Sequence, residues 1–263
     1  MKPVNYLRGA LVFIALGLTA CGDGTTSDTG GGSGGVTQGQ GGSTARMALV
    51  DDFLYTISGD SVQLFNLEDG SNPEPWTTVQ LDFGIETLFP YGDYLLVGAE
   101  AGVFILDNSD RASPVLIGEF IHARAQDPVV AKDNLAYVTL ARAPAQFPDQ
   151  TTDRLDVVDI SDPTNPQLIH TINMDSPRGL TVDGDRLHVC DGEGGIKTFS
   201  LANPEQPTLE FTLPNERCTD MLMVNGVLLA VGVDGVSQFD VSMGRPQKIS
   251  EIERETVIYL LEP

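Results

Sequence analysis

Short apolar runs alternate with polar turn segments along most of this chain. The clearest example is Leu155 to Pro166 (LDVVDISDPTNP), in which an apolar run leads into an Asp-rich turn that ends at a proline. The same design recurs in four segments, which begin at Val62, Val103, Ile196 and Val236. A further apolar run precedes each copy, at Leu54, Leu95, Leu135, Leu187 and Leu228. Both landmarks keep a period of about 41 residues, apart from one longer interval, so the sequence predicts an array of five units.

Each unit predicts four β-strands. In the fourth unit the apolar runs are Arg178–Val182, Leu187–Cys190, Ile196–Leu201 and Leu209–Leu213, separated by Gly, Asp, Asn and Pro. No segment of the array shows a sustained helical period. Four strands in about 41 residues are typical of a β-propeller blade. We therefore predict an all-β, five-bladed propeller over residues 45–263.

The end of the chain leaves an alternative open. After the fifth unit an apolar run, Val257–Leu261, follows at the place where another first strand would begin. It either helps to close a five-bladed ring or begins a sixth unit. A six-bladed or incompletely closed ring is therefore the alternative fold.

The first 44 residues have a different character. Residues 1–20 carry a basic start and an apolar core, which predicts a secretory signal peptide. Leu18–Cys21 resembles the lipobox of bacterial lipoproteins, which implies a lipid on Cys21. Residues 21–44 are rich in Gly, Ser and Thr and predict a flexible tether. We expect a lipid-anchored protein of the bacterial cell envelope. Gly22 occupies the position after the cysteine where an acid would favour the inner membrane, so the outer membrane is favoured. The sequence does not determine whether the protein faces the periplasm or the cell surface.

The repeated segment resembles a known family. LDVVDISDPTNP is similar to the LVIVD repeat, a strand that ends in Val-Asp, followed by Ser-Asp-Pro and a later proline. The third unit matches best, whereas Asn66 and Ser200 replace the aspartate in the first and fourth. The resemblance implies a propeller of the kind found in bacterial and archaeal surface or secreted proteins. It implies no catalytic residues.

The charge balance excludes one class of partner. The chain has 15 Lys and Arg against 37 Asp and Glu, a net charge of −22. Such a surface repels nucleic acid, so no nucleic-acid partner is expected. The sequence also lacks the Gly-x-Ser-x-Gly, His-Glu-x-x-His and phosphate-loop motifs. We assign no catalytic residues and no metal ligands.

Acidic residues recur at two places in each unit. Asp107, Asp159 and Asp240 end the repeated motif and are predicted to accept hydrogen bonds from the next turn. A second set lies beside glycine in the turns between second and third strands: Asp60, Glu100, Asp191, Glu193 and Asp234. Hairpin turn chemistry accounts for these. No cofactor is therefore expected. The weaker hypothesis is that these acidic turns form a rim that binds Ca²⁺, in which case the protein would be a calcium-stabilised structural lipoprotein.

Two cysteines and one insertion are candidate features of the array. Cys190 ends a second strand and Cys218 opens the next unit's first strand, so they are either a disulfide pair or two buried thiols. The third unit contains an insertion at Ala141–Thr152. Long loops on rigid scaffolds often carry function, so this loop is the candidate partner-binding element, with tolerated drift as the alternative. Its candidate contact residues are Pro144, Phe147, Pro148 and Asp149.

Propellers commonly bind ligands at the mouth of their central channel, where the first strands start. The candidate ligand site there consists of Asp127, Arg178, Arg217 and Asp220. The leading functional hypothesis is a non-catalytic binding or scaffold module for a protein or a polysaccharide, joined to the membrane by its lipid. The alternative is a propeller lyase or hydrolase with its site at this mouth.

Overall fold

The computed structural model describes residues 42–81, 84–122, 125–126, 128–142 and 153–254, with no side-chain detail for Ala125, Gln126 and Arg142. Several predictions concern residues outside these ranges. They are the signal peptide, the lipidated Cys21 and most of the tether, Asp127, the loop residues Pro144 to Asp149, and the closing run Val257–Leu261.

The described chain forms a five-bladed β-propeller, as the repeat predicted, with four antiparallel strands in chain order in each blade. Blade one is β1 (Met47–Val50), β2 (Phe53–Ser58), β3 (Ser61–Asn66) and β4 (Glu74–Gln80). Blade two is β5 (Ile85–Tyr91), β6 (Tyr94–Ala99), β7 (Gly102–Asp107) and β8 (Val115–Ile121). Blade three is β10 (Val129–Lys132), β11 (Leu135–Arg142), β12 (Arg154–Asp159) and β13 (Gln167–Asn173), with the short β9 (Ala125–Gln126) paired to β11.

Blade four is β14 (Leu180–Asp183), β15 (Arg186–Cys190), β16 (Ile196–Ser200) and β17 (Thr208–Leu213), with a 3-10 turn at Gly192–Gly194. Blade five is β18 (Asp220–Val224), β19 (Val227–Val231), β20 (Gly235–Asp240) and β21 (Gln247–Glu253). The first strand of each blade is the inner strand, and the last is the outer strand. Met47–Val50 therefore supplies the inner strand of blade one.

Two kinds of turn explain why the repeat folds this way. First and second strands are joined by two-residue turns with positive φ, as at Asn225 (φ 50°) and Gly226 (φ 77°), which is typical of tight hairpins. After each third strand, the side chain at the motif position accepts a hydrogen bond from the amide two residues on; for Ser161 N to Asp159 Oδ1 the distance is 2.8 Å. Asn66 and Ser200, which replace the aspartate, accept the equivalent bond. Asp107 and Asp240 accept the same bond, as predicted. Hydrogen bonds from Ser161 hold the pKa of Asp159 below its usual value.

The described residues form four buried apolar clusters, one between each pair of consecutive blades from blade one to blade five. Buried tyrosines tie some blades to the next one. The Tyr55 hydroxyl donates to the carbonyl of Arg111 at 2.8 Å, and the Tyr137 hydroxyl donates to that of Pro204 at 3.0 Å. Burial raises the pKa of Tyr137 to about 12, so this hydroxyl stays a donor.

Blade four is covalently joined to blade five. Cys190 at the end of β15 and Cys218, just before β18, form a disulfide with a Cα–Cα distance of 5.5 Å. Both residues belong to the cluster between these blades. Of the two alternatives that the sequence left open, the structure therefore contains the bonded one.

Candidate functional site

A cavity of about 350 Å³ opens at the end of the channel where the inner strands start. We call it the insertion mouth, because Ala141 lines it and the chain leaves β11 one residue later. Its lining comes from all five blades: Thr44, Arg46, Glu86, Thr87, Pro128, Ala141, Pro177, Arg178 and Thr219. The candidate loop, which follows Arg142, is thus attached at the rim of the predicted channel mouth.

The charged residues in the lining of this mouth are two arginines, Arg46 and Arg178, and one carboxylate, Glu86. Arg46 and Arg178 both have exposed side chains, and within the described residues neither forms an ion pair. The backbone of Arg178 is fixed at both ends: its N–H donates to Cys190 O at 2.8 Å, and its carbonyl accepts from Thr139 Oγ1 at 2.5 Å. A rigid backbone therefore presents a guanidinium that other groups can still bind.

Of the other predicted mouth residues, the two that the structure describes, Asp220 and Arg217, do not line the cavity with Arg178. Asp220 accepts a hydrogen bond from Ser43 Oγ at 3.2 Å, and Ser43 Oγ accepts one from Leu180 N at 2.7 Å. Asp220 therefore connects the segment before blade one to blades four and five. Arg217 pairs with Glu193 at 3.3 Å, and both side chains are exposed. Asp127 lies outside the described residues.

The acidic turn of blade four is already occupied by internal partners. Buried Asp191 accepts hydrogen bonds from the amides of Asp175 and Ser176 and pairs with Lys197, which also pairs with Asp175. Burial works to lower the pKa of Lys197, but these two carboxylates more than offset it and leave the pKa raised. Within the described ranges, no group of three or more His, Cys, Asp or Glu residues could hold a metal ion.

The opposite end of the channel has a different chemistry. A cavity of about 400 Å³ opens there, lined largely by apolar residues that include Leu88, Val182 and Leu222. Its cation, Lys132, pairs with Asp133 and with Asp185. Of the two ends, the insertion mouth is therefore the one where described arginines are available to a ligand.

The LVIVD repeat family matches residues 89–121, which cover most of blade two, and residues 150–174, which cover the second half of blade three. This chain is a five-bladed propeller that contains LVIVD repeats. No curated protein matches its sequence. In the described part of the LVIVD-repeat propeller, no helix is long and apolar enough to span a membrane.

Solved structures share the fold at low identity. A protein of unknown function from Desulfotomaculum acetoxidans is 12% identical, with a TM-score of 0.60, over 76% of this chain and 68% of that one. The periplasmic gluconolactonase PpgL of Pseudomonas aeruginosa is 12% identical, with a TM-score of 0.59, over 77% and 67%. The designed protein Ika8 is 12% identical, with a TM-score of 0.55, over 78% and 60%. The LVIVD-repeat propeller thus spans less than two thirds of the length of Ika8.

Sequence reasoning missed part of the insertion mouth. Thr44 and Thr219 lie just before the inner strands of blades one and five, and their place in the repeat was the signal that could have found them. Position in the repeat predicts at which end of a blade a residue lies. It does not predict the side chain's partners, which is why Arg217 and Asp220 were grouped with Arg178.

Proposed function

We propose that this protein is a non-catalytic binding module of the cell envelope, and that its insertion mouth binds a carboxylated saccharide. The observation that carries the proposal is the pair of exposed arginines, Arg46 and Arg178, at one cavity of a chain whose net charge is −22. Guanidinium groups bind carboxylates through two parallel hydrogen bonds. Hydroxyls of Thr44 and Thr219 in the same lining suit the hydroxyls of a sugar.

The surroundings of the mouth favour a short acidic segment over a long polyanion. Acidic turns stand at the same end of the blades, at Asp60, Glu100, Glu193 and Asp234. They repel a ligand that carries negative charge along its whole length. The candidate loop from Pro144 to Asp149 follows the rim residue Ala141, and we propose that it contacts the same saccharide.

An enzymatic role at the same mouth is the second candidate. It needs Asp127, Arg178, Arg217 and Asp220 to converge. Of the three described members of that set, only Arg178 lines the cavity. A binding role needs no such convergence, and this is why we favour it.

Replacing either mouth arginine is expected to weaken saccharide binding by about 10- to 100-fold, because each charge-assisted hydrogen-bond pair contributes about 1.5–3 kcal/mol. Calorimetry with galacturonate oligomers would measure the loss in Arg46→Ala and Arg178→Ala. Arg245→Ala is the matched control, because Arg245 is exposed in the turn between β20 and β21, at the end of blade five opposite the mouth. Equal affinity in all three variants would refute the proposed site, and breakdown of the oligomers during the titration would favour the enzyme.

The lipid anchor has its own test. Cys21→Ala is expected to move the protein from the membrane fraction to the soluble one, because the proposed acyl chains provide the membrane affinity. Incorporation of a labelled fatty acid into the wild type, and its loss in the variant, would be measured by gel. The matched control is Thr19→Ser, which keeps the cysteine. A wild type that incorporates no labelled fatty acid would exclude this anchor.

A further inference from the structure

The junction between blade five and blade one differs from the other four. The repeat allows a comparison of equivalent positions, because each inner strand pairs with its second strand in the same register. Met47 of blade one is 62% exposed, whereas its equivalents in the other blades are at most 1% exposed: Leu88, Val129, Leu180 and Met221. An apolar side chain that four blades cover is therefore uncovered in the first.

The same difference appears on the third strand of blade one. Phe65 is only partly buried, although its four equivalents are at most 2% exposed: Leu106, Val158, Phe199 and Phe239. Leu49 and Leu54 lie on the same side of the sheet as Met47 and Phe65. We call these four residues the seam face of blade one.

Blade five presents a matching apolar row toward this junction. Val231, Val236 and Ile252 are paired across β19, β20 and β21, and we call them the seam row. Val231 is 42% exposed and Ile252 is 63% exposed. The middle residue of the equivalent row is at most 3% exposed in every other blade, at Val62, Val103, Leu155 and Ile196. Within the described residues, no buried cluster joins blade five to blade one.

We propose that the C-terminal segment, residues 255–263, fills this seam and packs the apolar run Val257–Leu261 between the seam row and the seam face. The described chain ends beside the row: Arg254 N donates to Asp234 O at 2.8 Å, two residues after Ile252. The next residues therefore start at the uncovered surface. The inference is independent of any ligand at the insertion mouth.

Length and tethering both favour this occupant. Residues 255–263 extend up to about 30 Å, at roughly 3.3–3.6 Å per residue. The three strands that carry the seam row span only about 10 Å, at roughly 4.7–4.9 Å between neighbouring strands. A segment attached at the edge of the seam also has a high effective concentration there, which a second molecule in dilute solution does not match.

Cysteine crosslinking in the full chain tests where the segment lies. In a Cys21→Ser background, Leu54→Cys with Leu260→Cys is expected to form an intramolecular disulfide under mild oxidation. The control pair is Leu209→Cys with Leu260→Cys, because Leu209 is exposed on the outer strand of blade four. Equal crosslinking of both pairs, or crosslinks only between two molecules, would overturn the proposal, and the second outcome would identify another copy as the occupant.

Thermal unfolding gives a second readout. Tyr259→Asp with Leu260→Asp is expected to lower the Tm by about 5 °C or more, because two apolar side chains lose their burial. Met243→Asp is the control for an added charge: it places one aspartate on an exposed turn of blade five and is expected to leave the Tm unchanged. If the Tm of the double variant equals that of the wild type, the seam does not hold this segment.

Discussion

Removal of the disulfide between blades four and five is expected to lower the free energy of unfolding by about 3–4 kcal/mol. The bond closes a loop with a sequence separation of 28 residues, and the loss follows from the entropy that the unfolded chain regains. Cys190→Ala with Cys218→Ala is the appropriate variant, since both cysteines are buried and alanine leaves no polar group there. For a domain of this size the Tm should fall by about 10 °C.

Reduction provides the control for this variant. A thiol reductant is expected to lower the Tm of the wild type to that of the double alanine variant, and to leave the variant unchanged. The bond matters for blade five in particular. Among the described residues, the only buried cluster that holds this blade is the one it shares with blade four. A wild type that melts at the same temperature with and without reductant would contradict the prediction.

Acidification is expected to destabilise the protein through His188. This side chain is fully buried between blades four and five, with its Nδ1 2.9 Å from Thr198 Oγ1. Burial, and to a lesser degree the charge of Arg186, lower the pKa of His188 from 6.5 to about 4. The unfolded chain therefore binds a proton between these values that the folded chain does not, so stability falls as the pH drops from about 6.5 toward 4.

Because of His188, the free energy of unfolding is expected to fall by about 2–3 kcal/mol between pH 7.5 and pH 4.5. Denaturant unfolding at both values would measure it, and the difference between wild type and His188→Leu isolates it from the carboxylates. Leucine suits the position because Leu96, its equivalent in blade two, is also fully buried. His170→Gln, on the outer strand of blade three, should keep the wild-type pH dependence. If the stability of His188→Leu falls with pH as steeply as that of the wild type, His188 is not the cause of the pH dependence.

The repeat made the architecture predictable from the sequence. What could not be predicted depends on how the strands and side chains pack. Apolar alternation and proline-stopped turns located strands such as Ile196–Ser200 to within a residue, because strand pairing depends on a local pattern. Leu135 was aligned with Leu95 and Leu187, yet strand register shows that Ala136 is their equivalent. The turn before the second strand has two residues in all three blades, so the apolar run of blade three simply begins one position earlier, at the equivalent of Tyr94 and Arg186.

The candidate site was less predictable than the fold. Its location at the start of the inner strands follows from the topology, and Arg178 lies there. The topology does not predict which charged neighbours join Arg178 in the cavity, because this depends on contacts between residues far apart in sequence. Asp220 is held by Ser43, 177 residues away, and no local pattern encodes that bond.

The four core clusters also determine the order in which the molecule opens. Each cluster is shared by two consecutive blades. Among the described residues, blades two, three and four are therefore each held on both sides by clusters, whereas blades one and five are held by one cluster each and, on the other side, by the proposed packing of the C-terminal segment. Repeat proteins lose structure by steps when units contact only their neighbours. Amide hydrogens of β6, β11 and β15 should therefore exchange slowest, and those of β2 and β19 should exchange first, through excursions that leave the middle blades folded.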